Sequence, residues 1–260
     1  MVCCSNVVGL GTSCVTGVNA TVVKLSGATN AHIEQNTEAN YSGNDACLSV
    51  AAGGTVSVGY QATNCSGFDT TIGSMTATTN SHIGDGNAYS VKICATALPP
   101  QTLTFSVSDN SIGFGSLSTS QSTYATGDTN GSTTEVEAHT LAISTTAYNG
   151  YALTVRGATL TAAGGTITAI GGTNTVPTAG TEQFGLRLTA AGGVGTVTSP
   201  YAASGFAYNA TDSTAVQVAG ATSGDDVTTT YSARYLANIT SLTESGAYST
   251  TLYYVVTGTF

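Results

Sequence analysis

The residues best equipped for chemistry are six cysteines, Cys3, Cys4, Cys14, Cys47, Cys65 and Cys94, with two histidines set among them. They recur. Cys14, the run Thr29-Asn30-Ala31-His32-Ile33 and Cys47 form one unit. Cys65, the run Thr79-Asn80-Ser81-His82-Ile83 and Cys94 form the next. Two chemistries use such residues. Zinc takes ligands in closely spaced pairs, and the chain has no Cys-x-x-Cys. Cystine stapling of a small β module, made outside the reducing cytosol, fits one cysteine before and one after a shared core element. Six cysteines allow roughly 15 pairings, and the repeat favours Cys14–Cys47 and Cys65–Cys94. Cys3 and Cys4 are then left over. As vicinal residues their side chains diverge, so they pair elsewhere, within the chain in an exchanged set or with a neighbouring molecule. His32 and His82 occupy one position of the repeat and read as structural residues whose rings hydrogen-bond a turn.

The second half holds weaker candidates. His139 has Glu137 and Ser144 near it in sequence, but on a strand residues 137 and 139 share one face and 144 lies on the other. No Gly-x-Ser-x-Gly elbow is present, and Glu135, Glu137, Glu182 and Glu244 are too sparse for a glycosidase pair, so no enzymatic activity is expected. Asp128-Thr129-Asn130-Gly131-Ser132 and Asp225-Asp226 offer oxygen ligands that calcium would accept. The first lacks a late bidentate Glu, and such clusters read first as turns. Haem attachment would need Cys-x-x-Cys-His, and isopeptide cross-links in the second region would need a lysine; neither is there. Asn-x-Ser/Thr sequons stand at Asn19, Asn40, Asn64, Asn130, Asn209 and Asn238, acceptors for glycosylation in a secreted chain.

Composition limits what these residues can serve. Charged residues make up 7% of the chain and the net charge is −9. Five scattered cations, Lys24, Lys92, Arg156, Arg187 and Arg234, cannot neutralise a phosphate backbone, which excludes nucleic acid; an anionic membrane surface would repel the chain for the same reason. Nearly a fifth of the residues are Thr, with 32 Gly, 4 Pro and no Trp. β-Branched Thr suits strands with one face in water, and no segment repeats at the helical period. No apolar run is long enough to span a bilayer. The opening Met1-Val2-Cys3-Cys4 has no leader character, and Val2-Cys3-Cys4-Ser5 resembles Lys92-Ile93-Cys94-Ala95 at the end of a repeat. The expectation is a mature or truncated form that starts inside a longer repeat array.

The elements that must position these residues are strands. Region 1–98 reads as a disulfide-stapled β domain built from two repeats, with Thr21–Leu25, Thr55–Tyr60 and Thr70–Met75 as strands. Leu98-Pro99-Pro100-Gln101 is a stiff linker. Region 102–260 reads as a larger C-terminal β-sandwich. Leu103, Phe105 and Val107 alternate with Thr104 and Ser106. Leu141 and Ile143 precede Asn149-Gly150, with Leu153 and Val155 after it, the signature of a hairpin. Tyr231 to Tyr235 and Tyr253 to Phe260 continue the alternation. The fold class expected is all-β, with Ig-like β-sandwich domains.

The Cys-flanked Asn-Ala/Ser-His-Ile elements resemble those of secreted, repeat-bearing surface proteins of uncultured bacteria and archaea. The stretch Phe105 to Leu117, with Asp109-Asn110 and Ile112-Gly113-Phe114-Gly115, is similar to the start of their C-terminal β domain, and Tyr253 to Phe260 to its end. Repeats of that kind carry extra cysteines near positions 58 and 86 that this chain lacks. The resemblance implies secretion and a structural or adhesive role. The expected function is an extracellular structural subunit of a cell-surface filament, pilus or surface layer, a homopolymer joined by β-strand pairing. The alternative is an adhesin or stalk module that binds glycan or protein through loops; Tyr148, Tyr151, Tyr201, Phe206 and Tyr208 stand near turns and offer aromatic contacts for it, although their pattern reads first as core packing. No cofactor is expected beyond the calcium already weighed.

Overall fold

The computed structural model describes residues 19–50, 53–98, 100–127, 130–224 and 226–260. The protein is all-β: among the described residues there is no helix, and every strand ladder is antiparallel. Among the described residues no helix is long and apolar enough to cross a membrane. The chain divides into two units, Met1–Gln101 and Thr102–Phe260.

The first unit is a duplication. One three-stranded sheet holds β1 (Asn19–Leu25), β2 (Ile33–Gln35) and β3 (Asp45–Ser49) in the order β2-β1-β3. The other holds β4 (Thr55–Gln61), β5 (Thr70–Met75), β6 (Ile83–Gly84) and β7 (Val91–Leu98) in the order β4-β7-β5-β6. Strands β5, β6 and β7 thus repeat β1, β2 and β3, and β4 is added at the edge. The correspondence reaches single residues. A β-bulge falls between Thr21 and Val23 in one copy and between Thr71 and Gly73 in the other. Thr21 is paired with Cys47, and Thr71 with Cys94.

The shared Asn-x-His-Ile element has a backbone reason. Asn30 and Asn80 both take left-handed conformations, φ 46° and 45°, which Asn accepts better than most residues because its short amide bonds locally. The next turn is closed by a hydroxyl: Ser26 Oγ accepts from His32 N at 2.9 Å, and Thr76 Oγ1 accepts from His82 N at 3.2 Å. The two elements then meet. Ile33 and Ser81 exchange backbone hydrogen bonds of 2.9 Å in both directions. Val22, Val23, Ile33, Met75 and Ile93, drawn from both sheets, form one shared core, so neither repeat stands alone. Cys65 and Cys94 are disulfide-bonded, with Cα atoms 5.3 Å apart. Cys47 is disulfide-bonded too; Cys3, Cys4 and Cys14 lie outside the described residues.

The second unit is a sandwich of two main sheets and also holds a separate two-stranded sheet. Its strands are β8 (Leu103–Val107), β9 (Thr123–Tyr124), β10 (His139–Thr145), β11 (Tyr151–Arg156), β12 (Thr161–Ala162), β13 (Gly165–Thr166), β14 (Gly171–Thr175), β15 (Gln183–Ala191), β16 (Thr196–Val197), β17 (Phe206–Tyr208), β18 (Val216–Ala221), β19 (Thr229–Asn238) and β20 (Tyr253–Gly258). The larger sheet runs β14-β17-β15-β19-β10-β8, with β9 also on β19; the smaller runs β16-β18-β11-β20. Their facing side chains make one core that includes Leu141, Ile143, Leu153, Val155, Leu186, Val218 and Tyr231. Hydroxyl pairs bolt the sheets together: Tyr151 to Tyr231 at 2.7 Å and Tyr235 to Tyr254 at 2.5 Å.

One expectation is corrected. Asn149-Gly150 does not close a hairpin, because β10 and β11 belong to different sheets. A two-residue type I′ turn needs positive φ at both central residues; here Gly150 has φ 75° while Asn149 stays in the ordinary region. The chain instead arches from one sheet to the other, and the alternating apolar residues of β10 and β11 face each other across the core.

Candidate functional site

At one side of the second unit, side chains on the core-facing side of a strand are exposed. In the register of β8 on β10, Val107 lies opposite Leu141 and Phe105 opposite Ile143. Directly opposed residues share a face, so all four point to the core side. Yet Leu141 and Ile143 are 0% exposed, whereas Phe105 is 37% and Val107 41% exposed. The cause is topological. Strand β8 ends the larger sheet and β20 ends the smaller one; Leu103 packs against the core, while Phe105 and Val107 open onto a cavity.

The backbone of β8 is equally uncovered. Ser108 N donates to Thr140 O, and Thr146 N to Thr102 O. In an antiparallel ladder such hydrogen-bonded pairs alternate with non-bonded ones. Residues 102, 104, 106 and 108 therefore turn their amides toward β10, and Leu103, Phe105 and Val107 turn theirs outward. Those outward groups have no partner among the described residues. The residues whose side chains face the core are thus the ones whose amides face the open side.

Beside this edge lies a cavity of about 1060 Å³, lined among others by Phe105, Val107, Ile112, Phe114, Leu252 and Tyr254, with His139 and Tyr235 on its wall. A polar chain runs through that wall. His139 Nε2 is 2.8 Å from Tyr235 Oη, which is 2.5 Å from Tyr254 Oη. The His139 and Tyr235 rings stack with centroids 5.6 Å apart. Burial holds the His139 pKa below the usual imidazole range, against the opposing pull of the Asp109 and Glu137 carboxylates. Burial likewise pushes the Tyr235 and Tyr254 phenols up. All three groups are therefore neutral at pH 7, in an arrangement suited to packing and hydrogen bonding. Ser144 points elsewhere, its Oγ 2.7 Å from Thr104 Oγ1, and Glu137 is exposed on the segment before β10.

Other sequence candidates are dispersed. His32 and His82 pack against each other with ring centroids 4.9 Å apart, and His32 Nδ1 lies 3.4 Å from Asn80 O, in the turn of the other repeat. Among the described residues no cluster of three or more His, Cys, Asp or Glu side chains is placed to hold a metal ion. Asp128, Thr129 and Asp225 of the calcium candidates lie outside the described residues; Asn130 O accepts from Thr126 Oγ1, and Asp226 N donates to Thr145 O, as turns do. Glu135 is ion-paired with Arg187 and also lies 3.4 Å from Arg234. Glu182 accepts from Thr243 Oγ1 at 2.6 Å and Thr168 Oγ1 at 3.1 Å.

Of the aromatics near turns, Tyr151, Tyr201, Phe206 and Tyr208 are buried core residues, the reading their pattern favours, and only Tyr148 is exposed, at 76%, where an adhesive contact could use it. Tyr201 donates to Asn209 Oδ1 and Tyr208 to Gly157 O, so their polar ends are satisfied inside the fold. One sequon needs correction. Asn238 is 1% exposed, and its Nδ2 donates to Thr178 O and Gln183 Oε1; no glycan can attach there in the folded protein. Asn40, Asn64, Asn130 and Asn209 are exposed, and the Asn19 side chain lies outside what is described.

No protein-family model matches this chain, and no curated protein or solved structure does either.

Proposed function

We propose that this protein is an extracellular structural subunit that self-associates by β-strand pairing at the β8 edge. One observation carries the reading. The edge Leu103-Thr104-Phe105-Ser106-Val107 is free of bulges, uncharged and free of Pro, with the core-facing Phe105 and Val107 exposed beside unpaired amides. Proteins that must stay apart blunt such edges with Lys, Pro, bulges or covering segments. An edge without any of these is a template for an added strand. The Cys65–Cys94 disulfide supports an oxidising, extracytosolic setting. A polymer bathed in variable solvent also gains from a surface of hydroxyls and amides, whose hydrogen bonding does not depend on pH.

The test is a substitution that removes an outward amide and leaves the β10 ladder intact. Val107→Pro does this, because the amide of residue 107 faces away from β10 and proline is tolerated at such edge positions. Sedimentation and electron microscopy of the purified chain are expected to show polymers of fixed repeat in the parent protein and at least tenfold fewer in Val107→Pro, with near-ultraviolet tyrosine dichroism retained. Polymers of undiminished yield in the variant would refute pairing at β8.

A further inference from the structure

We propose that His32 and His82 together hold a divalent late transition-metal ion, zinc, nickel or copper(II), as a clip between the two repeats of the first unit. The pairing of the strands dictates the geometry. Ile33 and Ser81 exchange both backbone hydrogen bonds, each 2.9 Å long, which makes them a hydrogen-bonded antiparallel pair. One residue further along, His32 lies opposite His82. That is a non-hydrogen-bonded position, where opposed side chains share a face and stand closest. The closely spaced ligand pair that the sequence lacks is thus made across strands.

The ring separation suits a shared ion. An imidazole nitrogen bonds zinc at about 2.0–2.1 Å, which sets each ring centroid about 3.2 Å from the ion and, for bond angles of about 90–110°, the two centroids about 4.5–5.2 Å apart. The His32 and His82 centroids are 4.9 Å apart, and the planes are tilted by 46° rather than stacked. Hydrogen bonding leaves a nitrogen for the metal. His32 Nδ1 lies 3.4 Å from Asn80 O. A proton on Nδ1, donated to this carbonyl, leaves the Nε2 lone pair to the ion, which is how ligating histidines are oriented. Asn80 is itself held from the other repeat: Tyr41 Oη donates to Asn80 Oδ1 at 3.3 Å, and Tyr41 N donates to Glu34 Oε1 at 2.7 Å.

Two imidazoles select the ion. Calcium and magnesium take oxygen ligands, whereas imidazole suits zinc, nickel and copper. His82 is exposed and His32 half-buried, so the ion is reached from solvent and water fills its remaining positions. The third histidine of the chain, His139, is buried and hydrogen-bonded to Tyr235. His32 and His82 are therefore the imidazoles open to an added ion. An ion that binds only the docked repeats stabilises that state by mass action. It adds to the backbone hydrogen bonds and the small core that hold the repeats together.

The experiment uses the full chain, alkylated with iodoacetamide without reduction so that no free thiol competes, then stripped with EDTA and desalted. Copper(II) chloride is titrated in and followed by isothermal titration calorimetry and electron paramagnetic resonance. The expected result is one ion per chain with two imidazole nitrogens in its coordination sphere. His32→Gln and His82→Gln are each expected to lower the affinity by about tenfold or more. Three results would overturn the assignment: no copper held by two imidazoles in the parent protein, an affinity indifferent to either substitution, or each substitution halving the stoichiometry at unchanged affinity, as two separate rings would give. Hydrogen exchange reads the docked repeats directly. Zinc chloride is expected to slow exchange by about fivefold or more in peptides covering 26–35 and 76–84 of the parent, and to leave the His82→Gln variant unchanged, with the Cys65–Cys94 disulfide intact in both. Equal slowing in parent and variant, or none in the parent, would likewise overturn the assignment.

Discussion

Removing the Cys65–Cys94 disulfide by Cys65→Ala with Cys94→Ala will weaken the first unit selectively. The bond closes a loop with a sequence separation of 29. Loop-closure entropy for that length is about 12 cal/mol/K, or about 3.5 kcal/mol at 25 °C. Cys94 is fully buried, and truncating it adds about 1 kcal/mol through lost packing. The first unit has little to set against this. Its core is Val22, Val23, Ile33, Met75 and Ile93, whereas the second unit buries a continuous layer from Ala125 to Ala237. A domain of this size has a stability on the order of 4–12 kcal/mol, so the loss is a large fraction of the whole. Hydrogen exchange read by mass spectrometry resolves the two units. Where global opening governs exchange, 3.5 kcal/mol corresponds to a loss of protection of about 400-fold. That loss is expected for peptides covering β5 and β7, with those from β10 and β19 unchanged. A loss below tenfold, or an equal loss in both units, would refute the view that the staple compensates a small core.

Two further outcomes follow from the second unit. His139 stays neutral in the fold while the unfolded chain takes up a proton below its ordinary pKa of about 6.5. Its contribution is therefore full above about pH 6.5 and is lost as the pH falls below that value. The urea midpoint of this unit should drop between pH 6.5 and 5, and His139→Gln should flatten the drop; a parallel slope in the variant would count against it. Gly150→Ala places a methyl group 2.1 Å from Ala221 O at φ 75°. A clash with backbone together with a disfavoured φ should cost at least about 2 kcal/mol, read as a lowered Tm, and a change under 0.5 kcal/mol, on the order of a surface substitution, would show that the arch relaxes freely.

The duplication was legible because it is written twice. An offset of 50 between the Asn-x-His-Ile elements predicts equivalent strands, and the structure carries the equivalence down to the bulges at Thr21/Val23 and Thr71/Gly73. The reason for the motif was not legible. Sequence draws the eye to His32 and His82, whose types suggest chemistry, whereas the backbone conformation that the element needs is supplied by Asn30 and Asn80. A signal was present, since Asn recurs at that position beside small residues in both copies.

In the second unit, alternation along a strand reports which residues share a face and is silent about which strand lies alongside. That is why Asn149-Gly150 read as a hairpin and is an arch. It is also why Tyr201, Phe206 and Tyr208, standing near turn residues in the sequence, belong to the interior. The same silence hid the candidate site. Leu103, Phe105 and Val107 have the pattern of any half-buried strand, and nothing local distinguishes a central strand from an edge. The distinction appears only when the sheet order ends at β8, leaving residues of core character exposed next to amides that point into solvent. Had the strand lain between two neighbours, the same five residues would be unremarkable core. A strand composed for the interior but placed at the boundary has no local explanation, and a further strand alongside it would resolve both the exposed side chains and the unpaired amides at once.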